Sequence, residues 1–122
     1  MNWATKKRPA IRQKRVEFDG HRFDSQAEMS RYQHLKLLVY TGEIHDLEVH
    51  PRISLDINGE HICRYHPDFR YKDRDGNIVI EDVKGRWKNQ AAFKRTTNWI
   101  VFSLKAKMVK AILGIEVQVV YK

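Results

Sequence analysis

The feature that most constrains this chain is a pair of extended segments joined by a tight turn. His66-Pro67-Asp68-Phe69 and Ile80-Glu81-Asp82-Val83-Lys84-Gly85 flank Asp75-Gly76-Asn77, and Asp-Gly between alternating apolar positions is a strong hairpin signal. Side chains on a strand alternate faces. Ile78, Ile80, Asp82 and Lys84 therefore share one face, and Val79, Glu81 and Val83 take the other. An aspartate on each strand, with a lysine beside the second, is expected to converge. Two such carboxylates make a hard-oxygen site for Mg²⁺ or Mn²⁺, which keep several waters and accept substrate phosphate oxygens. A neighbouring lysine orients an attacking water and helps to deprotonate it. Asp68, Asp82 and Lys84 thus outline phosphodiester hydrolysis. Glu81 is the competing acid, but a ligand there would leave Lys84 on the opposite face.

With 122 residues and 42% apolar content, the chain is long enough for one domain with a real core and too short for two ordinary ones. The expected division is a basic flexible tail over 1–15 and a single domain over 16–122. One cysteine, Cys63, excludes an internal disulfide framework and a Cys-x-x-Cys zinc pattern, which points to a reducing cytosol. No apolar run approaches membrane-spanning length and no signal-peptide core opens the chain, so a cytoplasmic, non-membrane protein is expected.

The net charge of +8 is unevenly placed. Residues 1–15 carry six Lys/Arg and no acid, residues 16–82 eight basic and fourteen acidic side chains, and residues 83–115 eight basic and none acidic. Two cationic segments around an acidic middle fit a surface that holds a polyanion about a metal-binding centre. The first segment supplies Lys6, Lys7, Arg8, Arg12, Lys14 and Arg15, and the second supplies Arg86, Lys88, Lys94 and Arg95 interleaved with Trp87 and Phe93. Basic and aromatic residues so mixed suit nucleic acid by charge and stacking. Solvated helix faces and a loose tail are the alternative reading of the same runs.

Taken in order, Val16 to Phe23 reads as a small hairpin about Asp19-Gly20. Ser25-Gln26-Ala27-Glu28 is a capping box opening a helix to about Tyr40, with Gly42 as its stop. Residues 44–50 and 52–57 are strand-like, the second with Ile53, Leu55 and Ile57 on one face, and Asn58-Gly59 turns the chain into a strand expected from His61 to Tyr71. After Gly85 a largely helical stretch runs to Leu113, and the weak helix formers around 96–101 predict that it divides in two. Residues 115–121 form a last strand. Of the six histidines, His66 alone is placed by alternation on the face of Asp68.

At these residues the chain resembles the PD-(D/E)xK nuclease superfamily, with Pro67-Asp68 as the first half of the motif and Asp82-Val83-Lys84 as the second; Asp82 stands where glutamate is more usual. Phe23-Asp24-Ser25, Glu28, Arg31-Tyr32, Leu35, Gly42-Glu43-Ile44, Asp68-Phe69, Glu81 to Gly85 and Leu104-Lys105 further resemble a small phage-encoded branch first described as a domain of unknown function. The resemblance implies an α/β or α+β domain in the restriction-endonuclease-like mould, a mixed sheet of four or five strands flanked by helices. It implies a metal site of Asp68, Asp82 and the Val83 carbonyl, with Glu28 joining from the first helix and Lys84 orienting water. The alternative for Glu28 is that it only caps its helix on the Ser25 amide. Arg31 and Lys105 become phosphate contacts. Small members of this kind include Holliday-junction resolvases, so the implied activity is a homodimeric endonuclease acting on branched duplex DNA in the host cytosol. The rival reading is a non-catalytic DNA-binding or phage interaction protein on the same fold.

Overall fold

Asp73 is the residue that closes the central turn. Its Oδ1 accepts from the amides of Asp75 and Asn77, both at 2.9 Å, and Gly76 takes φ +82°, a value glycine adopts without steric cost. In this computed structural model, which describes residues 15–122, the turn joins β6 (Phe69–Lys72) to β7 (Ile78–Lys84) as an antiparallel pair with Phe69 opposite Glu81. Ahead of them come the hairpin β1 (Val16–Phe18) and β2 (His21–Phe23), helix α1 (Gln26–Tyr40), β3 (His45–Val49), β4 (Ile53–Ile57) and β5 (Glu60–Tyr65). After them come α2 (Gln90–Lys94), α3 (Thr97–Leu113) and β8 (Gln118–Tyr121). The main sheet has the order β3-β6-β7-β8, with β8 parallel to β7 and the other pairs antiparallel; β1-β2 and β4-β5 are separate two-stranded ribbons. The fold is α+β, with a mixed sheet of the expected size.

Alternation along β7 organises the interior. Val79 and Val83 pack on a cluster formed by Phe23, Tyr32, Leu35, Ile44, Phe69 and Tyr71, which includes the buried face of α1. Ile80 belongs to the opposite cluster with Ile53, Leu55, Tyr65, Phe102 and Val109, which includes α3. One strand therefore serves two cores.

Two local expectations are corrected. The strand expected from His61 to Tyr71 is interrupted: β5 ends at Tyr65 and β6 begins at Phe69 in a different sheet. Pro67 has no N–H to give a ladder, and the Asp68 backbone is claimed by the main sheet, accepting from the His50 amide at 2.9 Å and donating to the Glu81 carbonyl at 3.1 Å. Ile57 also leaves the face it was expected to share with Ile53 and Leu55. A register shift between Leu55 and Asp56 turns it outward to 43% exposure.

The long helical stretch does divide, and Thr96 is the reason: its Oγ1 accepts from the Trp99 amide at 3.3 Å and caps α3. Thr97 to Val101 then form its first turns despite weak propensity, with Trp99 packed against the α3 core cluster. Gly114, at φ 72°, ends the helix. Among the described residues no helix is long and apolar enough to cross a membrane.

Helix α1 is fastened to the sheet by charge as well as by packing. Arg31 Nε and Nη2 donate to the two oxygens of Glu81 at 2.8 and 2.7 Å, Tyr71 donates to Glu81 as well, and Glu81 is 2% exposed. Arg31, expected as a phosphate contact, is thus engaged within the protein, its remaining Nη1 with His34. Arg31→Ala is predicted to destabilise the protein by about 3–5 kcal/mol in urea unfolding, since it strands a buried carboxylate. A near-neutral result would show that the pair does not hold the helix.

Candidate metal centre

Three acids and a lysine arrive at one cleft by different routes. Ser25 Oγ caps α1 by accepting from the Glu28 amide at 3.1 Å, which sets Glu28 in the first helical turn. The bend at Pro67 delivers Asp68 beside the start of β6, and alternation on β7 delivers Asp82 and Lys84 to the same side. Glu28, Asp68, Asp82, Val83, Lys84 and Asn98 line a cavity of about 650 Å³. The sequence placed Asp82 and Lys84 together, and they meet at 3.2 Å. Glu81 points to the other face, bound by Arg31 and Tyr71.

Each acid is held by a different partner. Asp68 Oδ2 accepts from the Val83 amide at 2.7 Å, and Asp82 Oδ2 accepts from the buried Tyr65 hydroxyl at 2.6 Å. Burial and the Asp82 charge push that Tyr65 hydroxyl far up. Glu28 uses both oxygens within the protein. Oε2 accepts from the Asp24 amide at 3.3 Å, one residue before the Ser25 amide expected, and Oε1 lies 2.6 Å from His50 Nε2. Lys84 is fixed on its other side by the Phe102 ring, 4.2 Å from the centroid.

Asp68 is the anomalous member. Burial, then the Asp82 charge, then the Glu28 charge push its carboxyl up to about 9, against a smaller opposing effect of the Val83 amide. Among the described residues it forms no ion pair with a cationic side chain. A carboxylate crowded by two others can take a divalent cation. Glu28, His50 and Asp68 offer ligand atoms that all lie within 4.8 Å of one another, a set of which Asp82 is not a member.

His50 is the member that sequence reasoning missed. His66, which alternation put on the face of Asp68, is exposed, as is His50. His50 sits just beyond β3 with φ 53°, a left-handed conformation that is uncommon for a non-glycine residue and concentrates at functional sites. Its approach to Glu28 spans 22 residues of sequence, and neither helical spacing nor strand alternation signals it.

Of the expected DNA contacts, Arg15 lines the acidic cleft and pairs with Asp24 at 3.8 Å, and Lys6, Lys7, Arg8, Arg12 and Lys14 lie outside the described residues. Arg86, Lys88, Lys94 and Arg95 are exposed beyond β7, and Lys105 donates to the Arg64 carbonyl at 3.0 Å.

Residues 8–116 match the model of DUF1064, a family described as a protein of unknown function. The chain belongs to that family. No curated protein and no solved structure matches it.

Membership carries no chemistry, so the chemistry of this family member rests on the cleft. The proton on Asp68 contributes stability that is present at the acid end and is lost as pH rises from 3.8 through about 9. Asp68→Asn keeps an acceptor for the Val83 amide and cannot ionise. In EDTA it is predicted to raise the thermal midpoint at pH 8 by a few degrees, the gain shrinking toward pH 4. A gain independent of pH, or a loss at pH 8, would contradict the crowding of charge at Asp68.

Proposed function

We propose that the protein is a divalent-metal-dependent DNA endonuclease of the PD-(D/E)xK kind. The observation that carries this reading is Asp68, half-buried beside Glu28 and Asp82 in a cleft that also presents Lys84. Asp68, Asp82 and the Val83 carbonyl would hold Mg²⁺ or Mn²⁺, with Glu28 completing the acidic cluster and His50 bonded behind it. Bound there, the cation supplies Lewis-acid stabilisation for charge that builds on a phosphate oxygen.

The chain's own residues supply the rest. Tyr65 and Lys84 hold the two oxygens of Asp82. Lys84, steadied between Asp82 and Phe102, would orient the attacking water and stabilise the hydroxide by its charge, the water's proton passing to solvent. The Val83 amide fixes one oxygen of Asp68 and leaves the other for the cleft. The acid-free run of eight Lys/Arg over 83–115 would neutralise DNA phosphates beside the site. A homodimer acting on branched duplex DNA, with a 5′-phosphate product, in the cytosol of a phage-infected host, is the fuller form of this reading.

The test is a cleavage panel on plasmid, linear and four-way-junction DNA, with Mg²⁺, Mn²⁺ or EDTA. Asp82→Ala is predicted to lose at least about 10³-fold in rate, and cleavage that survives in EDTA or in this variant would overturn the mechanism. Salt-sensitive binding without cleavage would leave a DNA-binding protein. Tyr65→Phe removes a partner of a ligand rather than a ligand, and a loss of about 10–100-fold in rate is expected, with the fold confirmed by circular dichroism. Unaltered cleavage in Tyr65→Phe would exclude that positioning role.

A further inference from the structure

Beyond the end of β7 the chain builds a second surface. Arg86 and Trp87 follow Lys84 almost directly, and the segment is tethered where the Arg86 amide donates to the Lys122 carbonyl at 3.3 Å and the Lys122 amide to the Lys84 carbonyl at 3.1 Å. Trp87 is 47% exposed, although it is not loose. Its ring stacks on Phe93 with 5.2 Å between centroids and 16° between planes, and the Gln90 side chain donates to its carbonyl at 3.3 Å. Arg86, Trp87, Gln90, Lys94 and Tyr121 line a groove of about 470 Å³.

The ring also lies at the end of a continuous aromatic row. Phe93 meets Trp99 at 5.2 Å, Trp99 meets Phe102 at 5.3 Å, and Phe102 carries the Lys84 ammonium on its face at 4.2 Å. Only the first member is open to solvent to this degree; Phe93 and Phe102 are buried. The row therefore leads from the lysine of the acidic cleft to an exposed indole that shares its groove with Arg86 and Lys94.

We propose that Trp87 is a stacking platform for an unpaired base of the DNA strand whose phosphate lies at the acidic cleft. Bases paired inside a duplex hide their faces, whereas an unpaired nucleotide presents a π-face to an aromatic ring and its phosphates to Arg86 and Lys94. The proposal deepens the nuclease reading and rests on it, since it assigns the substrate a single-stranded or branched segment beside the scissile bond. A protein partner fits less well, because a segment with eight Lys/Arg and no acid between 83 and 115 matches a polyanion.

Binding in EDTA separates this proposal from catalysis. Fluorescence anisotropy would compare labelled oligothymidylate, a four-way junction and a blunt duplex on the full chain, with far-UV circular dichroism confirming the fold of each variant. Trp87→Ala is expected to weaken binding of oligothymidylate and junction by about 5- to 100-fold and that of blunt duplex by less than about 2-fold, and Trp87→Phe should restore most of the loss. Oligothymidylate should also quench the indole emission of the wild type, with the quench lost in Trp87→Phe. Equal weakening on all three DNAs, no weakening, or a dimer falling to monomer in Trp87→Ala by sedimentation would overturn the platform. Asp82→Ala serves as the reference. If the nuclease reading fails while the platform stands, that variant and the wild type share the single-strand preference without cleavage; if the platform alone fails, metal-dependent cleavage persists while Trp87→Ala behaves as wild type.

Discussion

Like charge brought together out of water is the condition on which this structure turns. Asp68 lies half-buried beside Asp82 and Glu28, and its lost hydration together with their two charges pushes its carboxyl up to about 9. Such an arrangement opposes folding at neutral pH, and chains tolerate it where a site needs it. The scaffold offsets it locally through the Val83 amide on Asp68, the Tyr65 hydroxyl and Lys84 on Asp82, and the Asp24 amide and His50 on Glu28. A divalent cation would remove the remaining excess at once.

Strand β7 makes this possible by sending neighbouring acids in opposite directions. Glu81 is consumed by structure: Arg31 and Tyr71 bind it and fasten α1. Asp82, one residue on, faces the cleft with Lys84. The same alternation gives Val83 to one core cluster and Ile80 to the other. A slip of one residue in register would exchange the structural acid for the site acid, so packing of the two cores protects the placement of the chemistry.

How much of this was legible in the sequence follows from range. The turn at Asp75-Gly76-Asn77, the Ser25 cap, the division of the helical stretch and the shared face of Asp82 and Lys84 are set by neighbours within a few residues, and period and turn chemistry expose them. The break at Pro67 was harder, because alternation carries on through it and only the competition of two sheets for the chain interrupts the strand. Arg31 lies 50 residues from Glu81 and His50 lies 22 from Glu28. Contacts of that separation leave no periodic trace, which is why the bond of Arg31 to Glu81 and the approach of His50 to Glu28 were not foreseen. The exposed indole of Trp87 and its basic neighbours were visible as composition, while the row of rings linking them to Lys84 appears only in three dimensions.

The most direct test of the account is anomalous diffraction from crystals soaked in MnCl₂. The account requires a peak in the acidic cleft at about 2–2.5 Å from oxygens of both Asp68 and Asp82, absent from crystals of Asp68→Asn. A cleft without such a peak, or manganese held only by surface acids such as Asp46 and Glu48, would contradict it.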